Sequence, residues 1–179
     1  MAIATATLLV ESGRFDEIIF IMSPCHERKQ GFLAGSLQQK SAEYFHPLRD
    51  ALLTINIMPD KVIHSDDPSM DKNNSPYITA MTDTYIRGRN FGGDSRVIVL
   101  VDEAQNYTLA QLRTLLSRVC DNSLVVVTGH QKQVDLPHPG SSGFVKCIEH
   151  FQGKDWAEVC TLKTNYRGRV SQWADMMEG

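Results

Sequence analysis

The stretch that decides the fold is residues 96–106, Arg-Val-Ile-Val-Leu-Val-Asp-Glu-Ala-Gln-Asn. Its first half is a run of aliphatic, mostly β-branched residues, which is typical of a strand buried in a parallel sheet. The run ends in two adjacent carboxylates, Asp102 and Glu103. In phosphoryl-transfer enzymes such a pair holds a magnesium ion and positions the attacking water. The alternative is a polar strand end that caps the next helix, because strand-end acids are commonly solvated.

A site of this kind has a second half, the Gly-x-x-x-x-Gly-Lys-Ser/Thr loop of P-loop NTPases, whose amides and lysine hold the phosphates of ATP. The 179 residues contain no such loop. Without it, most of the triphosphate affinity is lost and a Mg²⁺ ion lacks its hydroxyl ligand. We expect Asp102 to bind Mg²⁺ through water and Glu103 to orient the attacking water, and we expect ATP turnover to need the missing loop.

Composition narrows the class of protein. The chain is 42% hydrophobic and 22% charged, which is ordinary for one globular domain. A net charge of −3 gives no overall attraction to nucleic acid, so a nucleic-acid role would need a local basic patch. The apolar residues 1–10 are too few to span a membrane and have no basic flank. We therefore expect a buried first helix, no membrane association and a cytoplasmic protein.

Helical and strand patterns alternate along the chain, which predicts an α/β fold with a mostly parallel sheet. Ligands of such folds bind at the carboxyl ends of the strands. Predicted strands are 17–22, 96–101, 124–127 and 157–162, and residues 77–86 are predicted to be a strand or a mixed segment. Predicted helices are 2–12, 37–54 with a kink or break at Pro47, 109–119 after a Thr108/Gln111 capping box, 144–151 and 170–177. Residues 56–76 are predicted to be a surface loop or insertion.

Several motifs in sequence order resemble those of the PhoH-like ATPase family. They are Gly-Phe-Leu-Ala-Gly-Ser-Leu-Gln-Gln-Lys at 31–40, Arg-Gly-Arg at 87–89, Val-Asp-Glu-Ala-Gln-Asn at 101–106, and Thr-Gly-His-Gln-Lys-Gln-Val-Asp-Leu-Pro at 128–137. Leu-Lys-Thr-Asn-Tyr-Arg at 162–167 is also similar to a helicase motif whose arginine approaches the nucleotide. The resemblance implies a P-loop NTPase-like (RecA/helicase-like) core, with helices on both sides of the sheet.

Two departures from the family pattern are visible. Family members begin with a strand and a Walker A loop just before the helix that corresponds to residues 2–12, so the resemblance implies one domain over 1–179 that is incomplete at its N-terminus. His130 also stands where the family sensor has aspartate, and the family's Thr/Ser-Arg-Pro appears here only as Ser23-Pro24, without the arginine. Imidazole can accept a hydrogen bond but does not carry a fixed negative charge.

The resemblance also assigns roles to individual residues. It implies that Gln133 senses the terminal phosphate, that Arg167 neutralises phosphate charge and acts in catalysis, and that Tyr166 and Arg167 help to bind ATP. The alternatives are a solvated turn for Gln133 and a surface salt bridge for Arg167. For Arg87 and Arg89 we expect either contact with nucleic acid or a neighbouring subunit, or a solvated turn. Trp156 and Trp173 are core or interface aromatics rather than base-stacking platforms.

Three functions follow as hypotheses. The first is an ATPase, with ATP and Mg²⁺ as cofactors, that couples hydrolysis to RNA or single-stranded DNA remodelling once the missing loop is supplied. The second is an inactive relative that binds a protein partner, forms a homo-oligomer or joins an intact homologue in a hetero-oligomer. The third is a nucleic-acid-binding module without a motor, against which the acidic composition argues.

Overall fold

The computed structural model describes residues 1–23, 45–65, 75–164, 166–174 and 176–177. The chain separates into two compact units, Met1–Cys147 and Ile148–Gly179, which are described separately below. The motif at 31–40, Pro24, Asn165 and parts of the predicted 37–54 helix and 56–76 loop lie outside the described residues. The expectation of one domain over residues 1–179 stays a prediction.

A four-stranded, fully parallel sheet forms the centre of the first unit. Its strands are β1 (Glu17–Met22), β2 (Ile78–Thr82), β3 (Val97–Asp102) and β4 (Leu124–Val127), in the spatial order β2-β1-β3-β4. The two central strands are almost completely buried, as their aliphatic sequences predict. Because all four strands run in one direction, the residues that follow β3 and β4 meet at the same edge of the sheet.

Two helices cover one face of the sheet. They are α1 (Ala2–Glu11) and α2 (His46–Thr54), and a short third helix, α3 (Pro59–Val62), follows them in the chain. Side chains of α1 and α2 form one apolar cluster with alternate residues of the strands: Ile3, Ala6, Leu48, Leu52, Ile18, Phe20, Met22, Ile98 and Leu100. The alternation of strand side chains directs Ile19, Ile21, Val97, Val99 and Val101, which are also buried, to the opposite face.

The stretch after β3 is built by a capping box. Helix α4 (Leu109–Leu116) starts at Thr108, whose hydroxyl accepts the Gln111 backbone N–H at 3.3 Å, while Gln111 Oε1 accepts the Thr108 backbone N–H at 2.9 Å. The sequence signature therefore predicted this helix start correctly. Leu112 and Leu115 of α4 are buried. Helix α5 (Phe144–Phe151) matches its predicted range.

Pro47 was predicted to kink or break the second helix. Helix α2 begins at His46 with Pro47 in its first turn, where a missing backbone N–H costs nothing, which agrees with a break and not with a kink. One element prediction is wrong. Residues 157–162 do not form a strand, although their sequence favours one; they are mostly exposed and have no strand partner among the described residues. Within the predicted 56–76 loop, the described residues include α3 and an isolated bridge between Ile63 and Ile78.

The second unit ends in helix α6 (Arg169–Ala174), which is shorter than predicted. Phe151 and Trp156 pack edge to face in this unit, with ring centroids 5.7 Å apart. Trp156 and Trp173 are 71% and 72% exposed, so neither is a core residue as one of their alternatives predicted. None of the helices in the described residues has the length and apolar character that crossing a membrane requires.

Candidate functional site

Asp102 is held at the carboxyl end of β3 by its neighbours in the sheet. Its Oδ1 accepts the Thr128 hydroxyl at 2.6 Å and the Glu103 backbone N–H at 3.0 Å. Thr128 follows β4 directly, and the pairing of Val101 with Val127 brings it beside Asp102. Both hydrogen bonds end on Oδ1, so Oδ2 is engaged by neither of them. This arrangement fixes the orientation of one carboxylate while leaving an oxygen for a further ligand.

Glu103 is held in a strained backbone conformation. Its φ is 52°, in the left-handed region that residues other than glycine seldom adopt and that costs about 1 to 3 kcal/mol. Its Oε2 accepts the side-chain N–H of Gln105 at 2.6 Å, and Gln105 Oε1 accepts the backbone N–H of His130 at 3.0 Å. Gln105 is buried. The Glu103 carboxylate is therefore oriented by a buried amide that is itself tied to the loop after β4.

The loop after β4 is also tied to Asn106, the residue that follows Gln105. Asn106 Oδ1 accepts the backbone N–H of Asp135 at 2.8 Å. Gln133 lies between these ties, with its backbone N–H donating to the His130 carbonyl at 3.1 Å and its side chain exposed. His130 Nδ1 accepts the Lys132 backbone N–H at 3.3 Å. The structure therefore places Gln133 in the loop beside the acidic pair, and its role in sensing phosphate stays a prediction.

A buried polar pair lies beyond the acidic residues. Tyr107 is fully buried, and neither its hydroxyl nor Asp83 Oδ1 has a hydrogen-bond partner among the described residues. Burial, followed by the charges of Asp83 and Asp102, raises the pKa of Tyr107 well above its usual range. Burial likewise raises the pKa of Asp83, against the opposing hydrogen bond from Gln111. Tyr107 thus lies in the electric field of both Asp83 and Asp102.

The remaining predicted residues lie in other parts of the chain. Tyr166 and Arg167 belong to the unit Ile148–Gly179 and are exposed just before α6. Arg87 and Arg89 are exposed around a turn at Gly88, whose φ is +81°. The Arg89 carbonyl accepts the Arg118 guanidinium at 3.2 Å. Their proposed contacts stay predictions.

The side chains at this site supply only part of the ligands that a magnesium ion needs. Asp102 supplies a hard oxygen ligand of the kind that Mg²⁺ takes together with waters and substrate phosphates. Among the residues that the structure describes, no group of three His, Cys, Asp or Glu side chains is arranged to hold a metal by itself. Cys120, Cys147 and Cys160 are free thiols. A magnesium ion here would therefore depend on nucleotide phosphates for most of its ligands.

Sequence reasoning assigned no site role to three residues that hold this region together. Thr128 and Gln105 bond Asp102 and Glu103, and Asn106 bonds the loop after β4. Thr128 was within reach of the sequence, because a hydroxyl that directly follows a strand neighbouring β3 must lie near Asp102. Gln105 and Asn106 gave no comparable signal, since their side chains turn toward a loop some 25 and 29 residues later in the chain. Only the folded loop shows this.

Comparison with known proteins agrees with the geometry. The family model described as PhoH-like protein matches residues 1–177. The chain is 32% identical to a PhoH-like protein of Mycobacterium leprae over 180 residues, covering 98% of this chain and 48% of the relative. It is 39% identical to a PhoH-like protein of Synechocystis over 64% of this chain and 32% of the relative, and 34% identical to Protein PhoH of Escherichia coli K12 over 68% and 32%.

The chain spans between about a third and a half of the length of these curated relatives. The family match nevertheless covers both the parallel sheet and the loops that hold Asp102 and Glu103. Its α/β architecture, a four-stranded parallel sheet with flanking helices, is consistent with a P-loop NTPase-like PhoH domain. On the sequence match and on the fold alike, this chain belongs to the PhoH-like protein family.

Proposed function

We propose that this chain forms the acidic side of a Mg-ATP site and hydrolyses ATP when a phosphate-binding loop completes that site. The observation that supports the proposal most strongly is the fixed carboxylate of Asp102, held through Oδ1 by Thr128 and the Glu103 backbone. A merely solvated strand end would not need a neighbouring strand to supply a hydroxyl. We further propose that the protein acts in the cytoplasm.

Each residue of the site has its own role in this proposal. Asp102 would bind Mg²⁺ through water, and Glu103, oriented by Gln105, would position the water that attacks the terminal phosphorus. A magnesium ion held by Asp102 would supply neutralisation of the phosphate charge. Gln133 would sense the terminal phosphate from the loop after β4. Arg167, with Tyr166 beside it, would neutralise phosphate charge. We propose that turnover drives remodelling of RNA or single-stranded DNA.

Calorimetry with Mg-ATP tests the nucleotide site. We expect weak binding by the wild-type chain that Asp102→Ala abolishes. Asp94→Ala is the matched control, because Asp94 is an exposed acid in a turn away from the carboxyl ends of the strands, and it should leave binding unchanged. Failure of the cooperatively folded wild type to bind at millimolar Mg-ATP would contradict a nucleotide site on this chain alone.

A chimera tests hydrolysis. The strand and glycine-rich loop of a longer relative would be placed before residue 1, and phosphate release measured. We expect hydrolysis that Glu103→Gln lowers about 10²- to 10⁴-fold while Mg-ATP binding remains. A chimera that binds Mg-ATP and is unaffected by Glu103→Gln would remove Glu103 from the mechanism.

A second candidate function is supported by a different observation. The described residues of the second unit expose several large apolar side chains, namely Trp156, Leu162, Tyr166, Val170, Trp173, Met176 and Met177. Exposed apolar groups concentrated in one short segment favour association with another protein. We propose as the alternative that the chain is an inactive family member that binds a protein partner, another copy or an intact homologue. A chimera without any ATPase activity, together with a stoichiometric complex in size-exclusion chromatography, would favour it.

A further inference from the structure

Two buried polar atoms near the acidic site have no hydrogen-bond partner within the part of the chain that the structure describes. They are the Tyr107 hydroxyl and Asp83 Oδ1. A buried polar group without a partner destabilises a folded protein, so native proteins pair nearly all such groups. Neither atom has a role in the Mg-ATP site proposed above. Two of them in one region therefore indicate a site that the proposed function does not use.

The two atoms lie close to each other around the start of helix α4. Asp83 directly follows β2, and its Oδ2 accepts the Gln111 side-chain N–H at 2.9 Å. Gln111 Oε1 in turn accepts the backbone N–H of Thr108, the neighbour of Tyr107, at 2.9 Å. The charge of Asp83 also contributes to the raised pKa of Tyr107. Asp83 therefore already has one oxygen bonded to the start of α4, while its other oxygen is left for Tyr107.

The register of the sheet relates Asp83 to the acidic pair. Met22 of β1 is paired with Thr82 of β2 and with Asp102 of β3, so Asp83 and Asp102 lie at strand ends on the two sides of β1. Two strand spacings of about 4.8 Å each separate the backbones of β2 and β3. Tyr107 is the buried residue that the charges of both carboxylates affect. A bond from Tyr107 to Asp83 would therefore connect the segment after β3 to the end of β2.

Tyr107 closes the turn that carries Glu103. The turn runs from Glu103, whose φ is 52°, through the 3₁₀ segment Ala104–Asn106 to Tyr107. The Tyr107 backbone N–H donates to the Ala104 carbonyl at 3.2 Å, and its carbonyl accepts the Gly143 N–H at 2.8 Å. A strained backbone persists only where the surrounding contacts fix it. Since β3 fixes one end of this turn, the buried side chain of Tyr107 is in position to fix the other.

We propose that one buried water molecule bridges the Tyr107 hydroxyl and Asp83 Oδ1, and that this bridge makes Tyr107 a positioning residue for Glu103. Water suits the two atoms because it accepts from the phenol and donates to the carboxyl oxygen. Internal waters occupy places where buried polar groups otherwise lack partners. Burial raises the pKa of Tyr107, so the phenol keeps the proton that it donates. The positioning role rests on the proposed ATP hydrolysis, whereas the bridge itself does not.

Urea unfolding of the full chain tests the bridge without nucleotide. Tyr107→Phe keeps the ring and removes the hydroxyl, and we expect it to raise the unfolding equilibrium constant about threefold to tenfold, because a hydrogen bond is lost. In an Asp83→Ala background the same change should have little effect, since the bridge is already broken. Asp83→Asn keeps polar atoms for both Gln111 and the water, so it should retain the effect of Tyr107→Phe.

Tyr77→Phe is the matched control for a lost phenol hydroxyl. Tyr77 precedes β2, at the amino ends of the strands, and its hydroxyl donates to Glu11 Oε1 at 3.4 Å. Its removal should change stability little, and equally in both backgrounds. A Tyr107→Phe variant as stable as wild type or more stable would overturn the bridge, because removing an unpartnered buried hydroxyl is not costly. That comparison is decisive even if Asp83→Ala does not fold. Equal losses in the wild-type and Asp83→Ala backgrounds would overturn the bridge too.

The chimera with a glycine-rich loop tests the positioning role. Tyr107→Phe should lower kcat about tenfold and leave KM for ATP nearly unchanged, because Glu103 positions the attacking water and does not bind the nucleotide. In a Glu103→Gln chimera the same change should lower kcat no further. A rise in KM alone, or equal losses of kcat in both chimeras, would overturn the positioning role. An inactive chimera whose unfolding shows the bridge would refute ATP hydrolysis, and the positioning role with it, but not the bridge.

Discussion

At the scale of single residues, the acidic site depends on space as much as on charge. Gly129 follows Thr128, and a Cβ at this position would lie 2.7 Å from Gln105 Oε1 and 3.0 Å from the Phe144 ring. Gln105 is bonded to both Glu103 and His130, so it has no room to move without losing one of these bonds. A glycine after β4 is therefore required by the packing of the glutamine that orients Glu103.

Gly129→Ala tests this requirement. We expect it to lower the free energy of unfolding by about 1 to 3 kcal/mol, because the added methyl group displaces a packed side chain. Gly140→Ala is the control, since a Cβ there meets nothing within 4 Å. Urea unfolding of the two variants compares them directly. Equal stabilities would mean that Gln105 accommodates the methyl group.

The buried carboxyl of Asp83 predicts a pH effect. Burial raises the pKa of Asp83 above the ordinary aspartate value of 3.8, so the folded state holds this proton more tightly than the unfolded state. The stability that it contributes is complete below 3.8 and is lost as the pH rises through the raised pKa. Asp83→Asn stays neutral, and we expect its stability relative to wild type to increase as the pH rises over that interval.

For Asp16→Asn we expect the opposite pH dependence of stability relative to wild type. The side-chain hydrogen bond from Arg96 lowers the pKa of Asp16, so its contribution is present above 3.8 and is lost as the pH falls through the lowered pKa. Urea unfolding at several pH values measures both variants. The stability of Asp83→Asn relative to wild type could instead fall as the pH rises. That result would mean that a partner stabilises the wild-type Asp83 carboxylate in the folded state by more than burial destabilises it.

At the scale of helices and strands, the sequence predicted an element correctly where the residues of that element alone determine it. The ranges of β1, β4 and α5 agree with the sequence patterns, as does the Thr108/Gln111 capping box. Residues 157–162 failed because a strand needs hydrogen bonds from a neighbour, and apolar alternation does not reveal whether one exists. For Pro47 the sequence left a kink and a break open, because proline disrupts a helix interior and also favours a first turn. The start of α2 at His46 agrees with the break.

The capping box itself predicts a stability change. Thr108→Ala removes the hydroxyl that accepts the Gln111 N–H, and we expect a loss of about 1 kcal/mol. Ser117→Ala, at the other end of α4, removes an exposed hydroxyl that bonds the Thr114 carbonyl and should change little. Thermal unfolding followed by circular dichroism compares them. A Thr108→Ala variant as stable as Ser117→Ala would show that tertiary packing alone sets the start of α4.

At the scale of the whole molecule, both tryptophans of the chain report on the second unit. Trp156 and Trp173 are exposed, so we expect a fluorescence maximum typical of indole in water and efficient quenching by iodide. Trp156→Phe and Trp173→Phe separate the two signals. A blue-shifted, quencher-resistant spectrum of the isolated chain would mean that copies of the protein cover each other. A blue shift only on adding a partner would locate the contact.

The strand order has a consequence for how the chain is made. The central strand β1 pairs Ile18 with Ile78 and with Ile98, which are 60 and 80 positions later in the sequence. Contacts between residues so far apart in the sequence slow folding, because a long loop must close before the strands can pair. During synthesis, the apolar β1 leaves the ribosome well before either neighbouring strand exists. The nascent chain therefore carries an unpaired hydrophobic strand through much of translation, which makes it a natural client for chaperones that bind exposed apolar segments.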